Sequence, residues 1–144
     1  MLLPGTVTIV VPAVVLLTGD GPVFRWWGLV VGVPLITVGV ALWAWTVRLF
    51  ARVGEGTLAP WDPTQHLVAE GPYRVVRNPM ITAVLAVLLG EAALFGSLAL
   101  LIWAAGFFVA NHAWFVVVEE PGLEQRFGDE YRAYKADVPR WLPL

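Results

Sequence analysis

Four long apolar runs limit what this chain can fold into more than any other feature of its sequence. They cover residues 2–18, 26–47, 80–95 and 98–118, and the first two contain no charged side chain. An α-helix rises about 1.5 Å per residue, so about 20 apolar residues cross the roughly 30 Å hydrocarbon core of a bilayer. A chain of 144 residues that is 58% hydrophobic has too little polar surface to cover such helices in water. The runs therefore predict an all-α integral membrane bundle of four transmembrane helices in one domain, residues 1–144.

The chain changes character after the fourth run. Apolar and aromatic residues recur there at spacings of four, four, three, four and three: Leu123, Phe127, Tyr131, Tyr134, Val138 and Trp141. These spacings place them on one face of a helix, with charged residues between them. The pattern predicts an amphipathic helix over about residues 122–137 that lies at the membrane surface. Gly128 weakens this helix, and Pro139 is expected to end it.

The distribution of Lys and Arg predicts which way the four helices cross the membrane. With four spans, the N-terminus, the connection 48–77 and the C-terminal tail lie on one face. That face holds eight basic residues and the opposite face holds only Arg25. The eight are Arg48, Arg52, Arg74, Arg77, Arg126, Arg132, Lys135 and Arg140. The positive-inside rule then predicts cytoplasmic termini, in a cell (inner) membrane, with both polar segments on the same side.

Composition excludes several kinds of function. The chain has no Cys, which removes disulfides, thiol nucleophiles and cysteine-bound metal centres. It has only two His, so we expect no metal site. No basic surface suited to nucleic acid is present. The expected partners are membrane lipids and lipophilic ligands.

The polar stretch 71–80 joins the second and third apolar runs and carries a signal for the start of a helix. Asn78 followed by Pro79 is typical of an N-cap residue and a first helical residue. Arg74 and Arg77 come just before this helix, whose N-terminus favours negative charge. The stretch therefore predicts either an anion-binding site or a membrane-surface loop with cytoplasmic arginines.

Other candidate residues lie around the fourth run. Glu119 and Glu120 either receive a cationic ligand or end the helix by pairing with Arg77 or Arg126. Asn111 and His112 either line a pocket or bond a neighbouring helix; His112 lies about 10 Å along the axis from Glu119.

Three further candidates have simpler interpretations. Glu91 is expected to be interfacial. The tail cations Arg132 and Lys135 are typical of lipid-headgroup contacts. Arg140 is the better functional candidate in the tail because Pro139, Trp141 and Pro143 surround it in a fixed turn.

Taken in order, these features resemble a known family. Gly71, Pro72 and Tyr73, with Arg77 and Pro79, precede a membrane helix, and Glu119-Glu120 ends the next one. Residues 126–134 then read Arg-Phe-Gly-Asp-Glu-Tyr-x-x-Tyr, and Val138-Pro139-Arg140 follows. From Gly71 to Pro143 the chain is similar to the isoprenylcysteine carboxyl methyltransferase and phospholipid methyltransferase group of membrane enzymes.

The resemblance implies S-adenosylmethionine as methyl donor at the cytoplasmic face and a lipophilic acceptor that enters from the bilayer. The residues implied in donor binding are Gly71, Tyr73, Arg77, Asn78, Pro79, His112, Glu119, Glu120 and Tyr131. Those implied in catalysis are Glu120, Arg132 and Arg140. Arg140 or Arg132 would orient a carboxylate acceptor, whereas Glu120 would take the proton of an amine acceptor. The acceptor is an isoprenylcysteine-like carboxylate, a lipid amine or a hydrophobic small molecule.

The chain departs from the family's best-known pattern at three positions. That pattern has Arg-His-Pro, then a Tyr and then a Gly, and here Asn78, Ile81 and Ala83 take the places of the His, Tyr and Gly. Asn still donates and accepts hydrogen bonds but does not titrate. Two alternatives therefore stand beside the methyltransferase: a non-enzymatic membrane protein of the same fold, and a nicotinamide-dependent membrane reductase.

Overall fold

The computed structural model of the protein describes residues 5–19, 23–53 and 66–142. Within these ranges the chain is helical and contains no strand, which confirms the all-α prediction. The helices are α1 (Thr6–Thr18), α2 (Trp26–Val53), α3 (Pro79–Phe95), α4 (Leu98–Phe127) and α5 (Asp129–Asp137). A short 3₁₀ turn, Gly71–Arg74, precedes α3. The first residues of the expected span 2–18 lie outside the described residues.

Two of the described helices, α2 and α4, are long and apolar enough to cross a membrane. The other two apolar helices, α1 and α3, are shorter. The four-span bundle therefore remains a prediction, while all four apolar runs are helical where the structure describes them.

The boundary expected after the fourth run is wrong. Helix α4 does not end at residue 118 but continues to Phe127, and the single helix expected over 122–137 is divided at Gly128. A π-helical turn, Phe115–Glu119, comes directly before Pro121. Proline has no backbone N–H to donate, and its ring would clash with the preceding turn of a regular α-helix. The wider turn of a π-helix leaves room for this ring. The break falls at Gly128 because its φ of 57° and ψ of −126° are accessible only to glycine without strain.

The chain forms two compact units. The first comprises residues 1–41 and 83–110. In it, glycines let the backbones of α2 and α3 approach closely. A Cβ on Gly28 would lie 2.5 Å from the Ala93 carbonyl oxygen, and one on Gly32 would lie 2.6 Å from that of Gly90. The small-residue pair on the second apolar run therefore seats a neighbouring helix, as transmembrane helix pairs often do.

The second unit comprises residues 42–82 and 111–144. Its buried residues come from every segment of the unit and include Thr46, Tyr73, Phe115 and Tyr131. Gly71 has a φ of +54°, and a Cβ there would lie 3.1 Å from Leu49, so the 3₁₀ turn packs tightly on the end of α2. Every residue of the candidate site described next belongs to this unit.

Candidate functional site: a buried carboxylate with three cations beside an apolar cavity

Glu120 is the centre of an ionic cluster. Glu120 is only 4% exposed, although its side chain is a carboxylate. Arg77 Nη1 donates to Glu120 Oε1 at 2.5 Å. Arg140 donates from Nε to Oε1 at 2.9 Å and from Nη2 to Oε2 at 3.1 Å. Lys135 Nζ lies 3.5 Å from Oε2, so both carboxylate oxygens are engaged and the buried charge is compensated.

Arg77 is positioned by the start of α3. The Asn78 carbonyl accepts from the backbone N–H of Thr82 at 3.2 Å and from its hydroxyl at 3.0 Å. The helix begins at Pro79, as the Asn-Pro signal predicts. The backbone N–H of Arg77 donates to the Pro139 carbonyl at 2.8 Å. Arg77 is therefore held at its backbone by one segment and at its side chain by another.

The C-terminal segment, residues 128–142, is fastened by hydrogen bonds at its middle and near its C-terminal end. The Tyr134 hydroxyl donates to the Tyr73 carbonyl at 2.6 Å. The Trp141 indole N–H donates to His112 Nδ1 at 2.9 Å, which requires the His112 tautomer with its proton on Nε2. His112 thus bonds the C-terminal segment at Trp141, which lies beyond the last helix, so neither the pocket-lining nor the helix-bonding role is tested by this contact.

Two buried donor groups beside Glu120 have no hydrogen-bond acceptor among the described residues. They are Arg77 Nε and the Tyr131 hydroxyl. Burial raises the pKa of Tyr131, and the nearby Arg77 guanidinium opposes this rise. Buried polar groups of this kind are normally satisfied by a ligand, an ion or water. The cluster therefore has the capacity to bind a further acceptor atom.

The charge of the cluster favours an anionic group at that position. Lys135 also pairs with Glu124 at 2.8 Å, so three cations meet two carboxylates and one positive charge is left. The partner carboxylates raise the pKa of Arg140 and of Lys135, chiefly through the hydrogen bonds to Glu120 and Glu124 respectively. Both groups therefore remain cationic at neutral pH.

Glu119 lies in a different environment from its neighbour. It is exposed, and among the described residues it has no hydrogen-bond or ion-pair partner. It still lies near the buried Tyr73. The pKa of Tyr73 is raised, first by burial and then by the neighbouring Tyr134 and Glu119. Of the two adjacent carboxylates, Glu119 is the one available to a cation.

An apolar cavity of about 320 Å³ adjoins this cluster in the same unit. Its walls come from the end of α2, the 3₁₀ turn, the start of α3 and the end of the chain; they include Leu42, Trp45, Val75, Val76, Thr82 and Trp141. Val76 directly precedes Arg77 and Trp141 directly follows Arg140. The cavity and the charged cluster are therefore built by the same short segments.

The structure brings together some of the predicted site residues. Arg77, Glu120, Tyr131 and Arg140 form the cluster, and Tyr73 and His112 are bonded to the C-terminal segment. Gly71 and Pro79 line the cavity.

Arg132 lies apart from the cluster. It pairs with Asp129 at 2.7 Å on a surface where its side chain is 64% exposed. Lys135 is the residue that sequence reasoning missed, since it was assigned to lipid headgroups. Its i,i+4 spacing from Tyr131 on α5 placed both on the same helix face and was the signal available.

These features define a class of protein: an all-helical protein with helices long enough to cross a membrane and with an ionic cluster next to an apolar cavity. A family model described as phospholipid methyltransferase (PEMT) matches residues 27–130, which is more than half of the chain. The chain therefore belongs to the phospholipid methyltransferase family, as its motifs predict. The match includes Arg77, Glu119 and Glu120, whereas Tyr131, Lys135 and Arg140 follow it. Comparisons with curated proteins and with solved structures gave no match.

Proposed function

We propose that this protein is a membrane methyltransferase that uses S-adenosylmethionine to methylate a lipophilic acceptor. The observation that carries the proposal is the buried Glu120 cluster beside an apolar cavity, in a chain whose family transfers methyl groups. A charged methyl donor needs a polar site, and a lipophilic acceptor needs an apolar site next to it. The short segments around Arg77 and Arg140 build both.

The residues of the cluster fit the charged end of the donor. Arg77 Nε and the Tyr131 hydroxyl are unpartnered buried donors suited to its carboxylate. Glu119 is the free carboxylate suited to its ammonium or sulfonium charge. Glu120 has both oxygens occupied by Arg77 and Arg140, so its role is to hold these side chains in place.

The donor supplies an electrophilic methyl group on a positively charged sulfur and leaves as a neutral sulfide. The protein's own contribution is to orient the acceptor and to keep water away. The cavity walls around Trp45, Val75 and Trp141 would hold the apolar part of the acceptor next to the cluster. Arg140 would orient a carboxylate acceptor, which needs no base. An amine acceptor loses a proton, and Glu119, whose oxygens are free, suits that role better than Glu120.

The alternatives have less support from the site. A nicotinamide cofactor carries several phosphates, whereas the three cations and two carboxylates of the cluster leave a single positive charge, which suits one carboxylate. The proposal also includes the orientation predicted by charge, with the cluster at the cytoplasmic face of the inner membrane, because eight of the nine basic residues lie in the segments assigned to that face.

Calorimetric titration with S-adenosylhomocysteine, on purified protein in nanodiscs, tests the proposal. The wild type should bind, and Glu119→Gln should weaken binding at least tenfold, because a hydrogen bond to a charged group is lost. Glu130→Gln removes another exposed carboxylate, from the adjoining helix α5, and should leave binding unchanged. Arg77→Gln should also bind weakly; circular dichroism checks that it remains folded.

A folded wild-type protein that does not bind S-adenosylhomocysteine would overturn the proposal. Equal losses in Glu119→Gln and Glu130→Gln would move the donor site away from Glu119. Activity is measured separately, by transfer of a labelled methyl group to a total membrane-lipid extract and to a prenylated cysteine. These two acceptors distinguish a lipid amine from a carboxylate.

A further inference from the structure

The first unit contains a larger groove that the proposed methyl transfer does not use. Its volume is about 440 Å³, within the range of small-molecule sites. The wall is formed by apolar residues of three helices: Trp27, Leu89, Ala92, Ala93, Leu98 and Leu101. Leu98 is 69% exposed and Leu101 is 46% exposed, so this wall is open to its surroundings.

The groove has polar groups where helices begin. Arg25 directly precedes α2 and Ser97 directly precedes α4, and both line the groove. Arg25 Nε lies 4.0 Å from the position of a Cβ on Gly96, so the guanidinium group lies over the turn that joins α3 and α4. Leu89 is six residues before the end of α3, about 9 Å along the helix. The groove therefore runs from a cationic end to an apolar wall.

Arg25 is unusual within its unit. It is the only Lys or Arg in residues 1–41 and 83–110. It is exposed, and no carboxylate among the described residues forms an ion pair with it. An arginine offers five N–H donors in a geometry that matches a phosphate group. Its charge therefore has no ion-pair partner among the described residues of this unit.

We propose that this groove binds one anionic phospholipid, with the headgroup phosphate on Arg25 and an acyl chain along the wall formed by Leu89, Leu98 and Leu101. Charge complementarity selects the headgroup, since a zwitterionic lipid has no net charge to offer the single cation. The exposed leucines select a lipid over a free anion, because inorganic phosphate would leave the apolar wall uncovered. Basic groups in grooves between transmembrane helices recognise anionic headgroups in this way.

Native mass spectrometry of delipidated protein, titrated with dioleoylphosphatidylglycerol or dioleoylphosphatidylcholine, tests the proposal. One basic residue near a membrane surface favours an anionic lipid about fivefold, so the wild type should prefer phosphatidylglycerol by about that factor. Arg25→Gln should reduce the preference to about one, and Arg25→Lys should retain most of it. Ala93→Phe should fill the groove and weaken the binding of both lipids.

Controls separate this site from a general attraction of anionic lipids to the protein's basic residues. Arg48→Gln removes another exposed arginine, from α2 in the second unit, and should leave the preference intact. Inorganic phosphate at millimolar concentration should not displace the bound lipid. The proposal is overturned if Arg25→Gln keeps the wild-type preference, if Arg48→Gln loses as much, if phosphate competes, or if Ala93→Phe binds lipid normally. The measurement needs no methyl transfer, so S-adenosylhomocysteine binding by Arg25→Gln stays a separate test of the donor site.

Discussion

Replacing Glu120 by Gln should destabilise this protein more than replacing any other described carboxylate. The substitution keeps the shape of the side chain and removes its charge. Arg77 then remains buried without a counter-ion, since its side chain is 8% exposed and that of Glu120 is 5% exposed. Breaking a buried ion pair by removing one partner costs about 3–5 kcal/mol.

The expected loss lies near the lower end of that range. Arg140 and Lys135 are 27% and 38% exposed, so water compensates part of their lost interaction. The amide oxygen also continues to accept one hydrogen bond. A loss of about 3 kcal/mol corresponds to a decrease in Tm of about 6–12 °C for a chain of this size.

Thermal unfolding in detergent, followed by tryptophan fluorescence, measures this decrease. Glu124→Gln is the matched control, because Glu124 pairs only with Lys135 and its side chain is 32% exposed. An exposed pair contributes about 0–1 kcal/mol, so the control should lose no more than about 4 °C. A double variant with Arg77→Gln should lose less than the sum of the two single variants. If Glu120→Gln and Glu124→Gln unfold at the same temperature, the argument from burial is refuted.

Two other predictions concern packing and pH. Gly28→Ala should lower stability by about 1–3 kcal/mol, because the new methyl group would lie 2.5 Å from the Ala93 carbonyl oxygen. Gly106→Ala, on α4 with nothing within 4 Å of its Cβ position, should instead be neutral or stabilising, and equal losses of Tm would contradict this account. Burial is the largest cause that raises the pKa values of all three tyrosines above their ordinary value near 10, so folded protein should show less tyrosinate absorbance at pH 10 than unfolded protein. The pKa values of the tyrosines are higher in the folded than in the unfolded protein. Keeping the phenols neutral therefore stabilises the fold fully below pH 10, and this stabilisation is lost as pH rises through the folded pKa values. A tyrosine that titrates near pH 10 in folded protein would refute this prediction.

The family and the helical architecture follow from the sequence because their signals are local. Apolar runs of helix length predict helices, and the Asn-Pro pair at 78 and 79 predicts the start of α3 correctly. The glycines at 28 and 32 have the four-residue spacing that is typical of closely packed helices, and in the structure α3 contacts α2 at both of them. The ordered motifs from Gly71 onward identify the phospholipid methyltransferase family without any coordinates.

The different environments of Glu119 and Glu120 depend on the tertiary structure alone. The two are adjacent and chemically identical, and sequence reasoning treated them as a pair. Glu120 is buried because Arg77, 43 residues earlier, and Arg140, 20 residues later, both reach it. A carboxylate at this point suggested the end of the helix, yet α4 continues to Phe127 and the two arginines compensate the buried charge within it.

The sequence by itself therefore determined what kind of chain this is: its helices, where α3 starts and its family. Apolar periodicity and capping signals extend over one to a few helical turns, and each family motif is a short run of residues. These signals can therefore be recognised in the sequence alone. Only the tertiary structure decided which charges are neutralised, which carboxylate stays free and where the cavities lie. Burial and electrostatic compensation depend on residues that are distant in the sequence and come together only when the helices pack.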